Sequence, residues 1–143
     1  MKKTTLLCAF MFICFVTNVF SQARKELNFG LIGVNYEIPV HEDVTIAPGA
    51  STNFDLNWLT LSVKANYYFD NLFELTNEAW DVYGGAGAGY SIYNGNGNDE
   101  DGVDIGLHVG GRWFWNDTWG IYLELGGGSI IGATGGLGLT MKL

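Results

Sequence analysis

The 143-residue chain has little cysteine, little proline and little positive charge: two cysteines, two prolines, and seven basic residues against fifteen acidic ones. Both cysteines, Cys8 and Cys14, lie near the front. Beyond them no disulfide, thiolate nucleophile or cysteine-based metal site can form. The scarcity of proline leaves no proline-rich linker, and no charge block divides the sequence, so a single domain is expected. The basic residues after the front are Arg24, Lys25, Lys64, Arg112 and Lys142, five against fifteen acids, a net charge of −10. That balance argues against nucleic acid as a partner, because phosphate binding needs a basic surface. A small domain without disulfides must be stabilised by a closed sheet, a ligand or a membrane.

Lys2 and Lys3 precede the apolar run Leu6–Val16, which is short for a spanning helix. Ser21-Gln22-Ala23 then offers small residues at cleavage positions. Residues 1–23 therefore read as a signal peptide and 24–143 as the exported domain. A cut after Ser21, leaving Gln22 first, is the second option.

Glycine, with 21 residues, is too frequent for helices, and no long window carries a 3.6-residue apolar period. Strands separated by turn signals are expected instead. Seven are identified: Leu27–Ile38, Val44–Ser51, Leu59–Phe69, Trp80–Tyr93, Val103–Trp115, Trp119–Leu125 and Ala133–Leu143. In the third, Leu59, Leu61, Val63, Ala65, Tyr67 and Phe69 alternate with Thr60, Ser62, Lys64, Asn66 and Tyr68. Successive strand side chains point to opposite faces, so each such strand has one greasy and one wet face. The first strand changes phase near Gly33, the signature of a bulge.

The connections differ in kind at the two ends. Pro39–Asp43 and Trp115–Trp119 are short, and Asp70–Glu78 falls on their side. Thr52–Asn57, the Asn/Gly/Asp-rich Asn94–Gly102 and the glycine stretch Gly126–Gly132 fall on the other. Phe69, Trp80, Trp113, Trp115 and Trp119 all lie on the greasy face at the tight-turn end. One aromatic girdle at a membrane interface has this form. About 9 to 11 tilted residues cross a bilayer as a barrel strand. The fold expected is all-β: a small antiparallel up-and-down transmembrane β-barrel.

The exported start, the amphipathic strands and the terminal Gly136-Leu137-Gly138-Leu139-Thr140-Met141-Lys142-Leu143 resemble small outer-membrane β-barrel proteins. These are the eight-stranded OmpA/OmpX-like barrels, especially the outer membrane β-barrel or porin-family type of Bacteroidota. The resemblance covers about Leu27 to Leu143. It implies eight strands and a Gram-negative outer membrane. It also implies recognition of the C-terminal strand by the barrel-insertion machinery. The chain departs from the pattern in ending on Leu143 where an aromatic residue is usual. It departs again in showing seven strands, with the shortfall at the N-terminal end.

Lys64, Asp81, Asp104, His108, Arg112, Glu124 and Lys142 occupy wet faces, which meet inside a narrow barrel. Paired opposite charges filling the lumen are expected, because unpaired buried charge is costly. Asp104 and His108 stand about 13–14 Å apart along one strand and cannot form a catalytic dyad. Gly84–Gly89 lacks the spacing, the Lys-Ser/Thr and the helix of a phosphate loop. Its alternate glycines, like Gly136 and Gly138, relieve crowding on the inner face. Asn94–Gly102 carries acids without calcium-loop spacing and reads as a solvated loop open to an external partner.

The expectation is a small integral outer-membrane protein with a structural or surface-interaction role. It would have no catalysis, no cofactor and no metal, and the lipid bilayer would be its main partner. Two alternatives stand: a soluble or secreted β-barrel binding a small apolar ligand, and a narrow pore or lipid-modifying outer-membrane enzyme.

Overall fold

The computed structural model describes residues 23–143 apart from 71, 74–76, 96–99 and 130–131. The predicted signal segment thus lies outside the described residues except for Ala23. That residue is buried beside Tyr68 and Tyr83, and its amide donates to the Glu42 carbonyl at 2.9 Å.

Eight strands form one closed antiparallel barrel in sequence order: β1 Glu26–Gly30, β2 Gly33–His41, β3 Val44–Thr52, β4 Trp58–Tyr68, β5 Trp80–Tyr93, β6 Gly102–Phe114, β7 Trp119–Gly128 and β8 Gly132–Lys142. The single first strand expected over Leu27–Ile38 is in fact a hairpin. The chain reverses at Leu31–Ile32, and Glu26 pairs with Glu37, Phe29 with Val34. The phase change near Gly33 is this turn, not a bulge. Leu-Ile carries none of the usual turn chemistry, which is why periodicity alone ran through it. The missing strand is thereby found at the N-terminal end, and the start of β1 and the end of β8 both fall at the tight-turn end. β1 closes on β8 with Glu26 opposite Lys142, and the Leu143 amide donates to the Lys25 carbonyl at 3.0 Å. Gly126–Gly128, expected in a loop, extends β7.

The side chains are arranged inside out relative to a soluble barrel. Glu26, Asn28, Glu37, Thr45, Asn66 and Arg112 are buried, while Val103, Ile105, Leu107 and Val109 are 61–71 % exposed. The greasy strand faces that the apolar-ligand alternative would turn inward lie on the outside.

Glycine is required where strands crowd. A Cβ on Gly85 would stand 1.9 Å from the Ala65 carbonyl oxygen, and one on Gly138 2.0 Å from that of Phe29. Both obstacles are backbone and cannot rotate away. Gly110 lies under the Tyr83 ring, its partner across the β5–β6 pair, so the aromatic covers the gap that the glycine leaves. Gly136 is different: its nearest neighbour to an added Cβ is Tyr122 Cε2 at 3.5 Å, an ordinary contact.

Two residues apart on one strand, these glycines make a paired prediction. Gly138→Ala should destabilise the barrel by about 1–3 kcal/mol, the scale of forced overpacking. Gly136→Ala should stay within about 0.5 kcal/mol. Urea unfolding of the two variants in micelles checks the difference, and equal losses would refute it.

Candidate functional site

Parity along the strands delivers every polar candidate to the lumen, which then divides into two halves of different character. The half at the tight-turn end is packed. Arg112 on β6 is at its centre, with 2 % exposure. Its guanidinium meets Glu26 Oε2 from β1 at 2.7 Å, pairs with Glu37 Oε1 from β2, and donates to the Tyr68 hydroxyl from β4. The Tyr83 ring stacks beside it, with the guanidinium carbon 4.4 Å from the ring centroid. Glu37 also accepts from Asn28 Nδ2 at 2.9 Å, Thr45 Oγ1 at 2.7 Å and the Tyr68 hydroxyl at 2.6 Å. A buried carboxylate so surrounded keeps its charge compensated on every side.

Below this centre, Arg24 bridges Glu26 at 2.8 Å and Asp81 at 2.6 Å. The Phe114 ring closes the end, with Arg24 on it at 5.1 Å and Lys142 Nζ at 3.7 Å from the centroid. Among the described residues this end of the lumen is filled by side chains.

The other half is open. A cavity of about 510 Å³ extends from Lys64, His108 and Glu124 at its floor to the loop end. Lys64 pairs with Glu124, which also accepts from the Tyr83 hydroxyl at 3.1 Å. His108 Nε2 bonds Asn66 Oδ1 at 2.6 Å. Thr60 and Ser91 hydroxyls meet at 2.8 Å. Gly33, Gly49, Gly87, Gly89, Gly106 and Gly128 leave this half empty where side chains would fill it.

The expected lumen residues are linked mostly through partners outside the set: Arg24 and Glu26 join Asp81 to Arg112, and Tyr83 stands between Arg112 and the Lys64–Glu124 pair. Lys64 and Glu124 pair with each other. Asp81 takes Arg24, Arg112 takes Glu26 and Glu37, and His108 takes Asn66. Asp104 accepts from Ser129 Oγ at 3.1 Å near the loop end. Lys142 lies over Phe114. The sequence reading missed Arg24, Glu26 and Glu37, the partners that compensate Arg112 and Asp81. The signal was present: once the chain turns at Leu31–Ile32, Glu26 and Asn28 share the inward face with Asn35 and Glu37.

The five aromatic candidates sit on the outer face at the packed end. Trp80 pairs with Trp113 across β5–β6, with ring centroids 6.3 Å apart. Phe69 stacks on Tyr67 at 5.2 Å and on Phe73 at 5.9 Å, a member that the reading omitted. Trp115 donates its amide to the Trp119 carbonyl at 3.1 Å. The fifth tryptophan, Trp58, faces the lumen at the opposite end, 5.0 Å from the Tyr93 ring. In loop 94–102, Asp101 Oδ1 accepts from the Tyr93 amide at 2.7 Å; positions 96–99 of the loop lie outside the described residues.

No protein-family model matches the chain, and no curated protein sequence matches it. A solved structure described as "De novo design of transmembrane beta-barrels" superposes with a TM-score of 0.62 at 11 % identity. The match covers 87 % of this chain and all of the designed one. The class is therefore a closed eight-stranded antiparallel β-barrel whose fold is similar to that of a designed transmembrane barrel.

Removing the central cation should unbalance the packed half. Arg112→Leu leaves Glu37 buried without its cation and Glu26 with Arg24 alone, and should cost about 3–5 kcal/mol. Adding Glu37→Gln to that variant should recover part of the loss by removing one uncompensated charge. Unfolding in micelles measures both; an Arg112→Leu protein as stable as the parent would show that the cluster carries no net constraint.

Proposed function

We propose that this chain is a small integral outer-membrane β-barrel protein of the OmpA/OmpX-like kind, with a structural or surface-interaction role and no catalysis. The observation that carries this reading is the inversion of polarity. Arg112, Glu26 and Glu37 are enclosed, whereas Leu61, Val103, Ile105, Leu107, Leu123 and Leu125 are each more than half exposed around the wall. A soluble monomer rarely leaves so continuous an apolar surface in water. Hydrocarbon is the solvent that such a surface suits, and a closed barrel leaves few backbone groups unpaired within it. The tryptophans at one end of the face agree with an interfacial girdle.

The same geometry supports the finer expectations. An exported chain would reach the barrel-insertion machinery through β8, and loop 94–102 would face outside, where a partner could meet it. The packed half of the lumen weighs against a conducting pore. His108 hydrogen-bonded to Asn66, with Asp104 engaged by Ser129, weighs against a hydrolytic site.

The test uses the absence of cysteine after Cys14. Leu61→Cys and Ser62→Cys, adjacent on β4, should divide in liposomes: Leu61→Cys reacts with a lipid-phase maleimide and Ser62→Cys with a water-soluble one. The folded protein should also migrate differently on gels with and without heating. Recovery as a soluble periplasmic monomer, with both positions reached from water, would overturn the reading.

A further inference from the structure

β1 has five residues, whereas β5 has 14 and β8 has 11. Pairing of β1 with β8 stops at Gly30 opposite Gly138, yet β8 continues to Gly132. The stretch Gly132–Leu137 is held by β7 on one side and, among the described residues, has no strand partner on the other. At about 3.3 Å per residue and a tilt near 40°, it rises roughly 15 Å along the barrel axis beyond the last β1 pair. The wall between the Leu31–Ile32 turn and upper β8 is therefore notched. Glycines border the gap on both sides, Gly30 and Gly33 on one and Gly135 and Gly136 on the other, and all four line the 510 Å³ cavity.

The notch lies within the apolar band. Leu125, 58 % exposed, pairs with Gly135 beside it. Leu107, 71 % exposed, pairs with Gly127, which pairs with Ala133. Leu31, Val34 and Leu137 are exposed at the notch itself. A strand edge carries backbone donors and acceptors that hydrocarbon cannot satisfy, so irregular wall at membrane depth is tolerated only against protein or a polar cavity. Here the vestibule stands behind the edge, with Tyr122 just inside Gly30 and Gly136 and charged and hydroxyl groups beyond it. It presents both signs of charge, Lys64 with Glu124 at the floor and Asp104 higher up, among the hydroxyls of Thr60 and Ser62.

We propose that the notch is a side opening from the outer leaflet into the vestibule, and that it admits a single-chain zwitterionic amphiphile of the lysophospholipid class head first. The hydrocarbon chain stays in lipid against Leu31, Val34 and Leu137. The phosphate of the head faces Lys64 and its ammonium faces Glu124 and Asp104. A cavity of this volume falls in the usual range for small-ligand sites. The proposal rests on the membrane reading above.

The experiment places a fluorophore on Ser62→Cys, inside the vestibule, in protein reconstituted into phosphatidylcholine liposomes. Lysophosphatidylcholine is added with a nitroxide either on its head or at the end of its chain. The head-labelled probe should quench saturably and the chain-labelled probe should not, and unlabelled lysophosphatidylcholine should compete. Gly136→Phe, at a position where the first added carbon meets no close contact, should fill the vestibule beside the notch and abolish the saturable quenching. The double variant Lys64→Gln, Glu124→Gln keeps hydrogen-bonding groups without charge and should weaken binding about tenfold, the scale of one charge-assisted contact. Equal quenching by both probes, or quenching without competition, in protein that keeps its heat-dependent gel mobility overturns the side opening alone. Loss of that mobility in the parent protein overturns the membrane reading and the proposal with it.

Discussion

The barrel is organised around one guanidinium. Arg112 projects from β6 and is met by Glu26 of β1, Glu37 of β2 and Tyr68 of β4. Four strands thus share a buried ion cluster in which no carboxylate can shift by one register step without turning its charge to the outer face. Bringing these charges out of water costs several kcal/mol for each, and their mutual attraction offsets that only in good geometry. The cluster is accordingly better read as a device for register and closure than as a source of net stability. It also binds the short β1 to the far wall, where strand pairing alone offers only a few backbone hydrogen bonds.

Given that centre, the two halves of the lumen follow from side-chain volume. Tyr68, Tyr83, Phe114, Arg24 and Lys142 fill the end near the tight turns. Beyond His108 the inward positions turn mainly to glycine, serine and threonine, with Asp104 and Trp58 among them. In a barrel of eight strands the interior is just wide enough for side chains, so removing them yields a vestibule, not a channel. The outcome is a blind chamber, with charged and hydroxyl groups in its lining, inside a wall that is apolar outside. It is closed at one end by an ion cluster and lowered at one side by a hairpin that turns early.

Much of this was legible as pattern. The alternation of Leu59–Phe69 and Val103–Trp115 placed strands within a residue of their observed ends. It also assigned Lys64, His108 and Arg112 to one face and Trp113 and Trp115 to the other. The hairpin at Leu31–Ile32 was not legible. Two apolar residues can continue a strand as well as turn it, and the choice belongs to β3 and β8, which pair with the two arms. With that turn unseen, Glu26 and Glu37 had no common face, and the partners of Arg112 stayed hidden.

The sequence by itself determined which side chains share a face, because a strand's period of two is local and needs no partner. It also determined that the chain would form a sheet, because glycine and β-branched residues outweigh helix formers. Only the tertiary structure decided which face is the inside. Alternation is symmetric with respect to curvature, and the same strands could in principle close with leucines inward. Closure settled it through the close approaches at Gly85 and Gly138, where only glycine fits on the concave side, and through the one arginine that three other strands enclose.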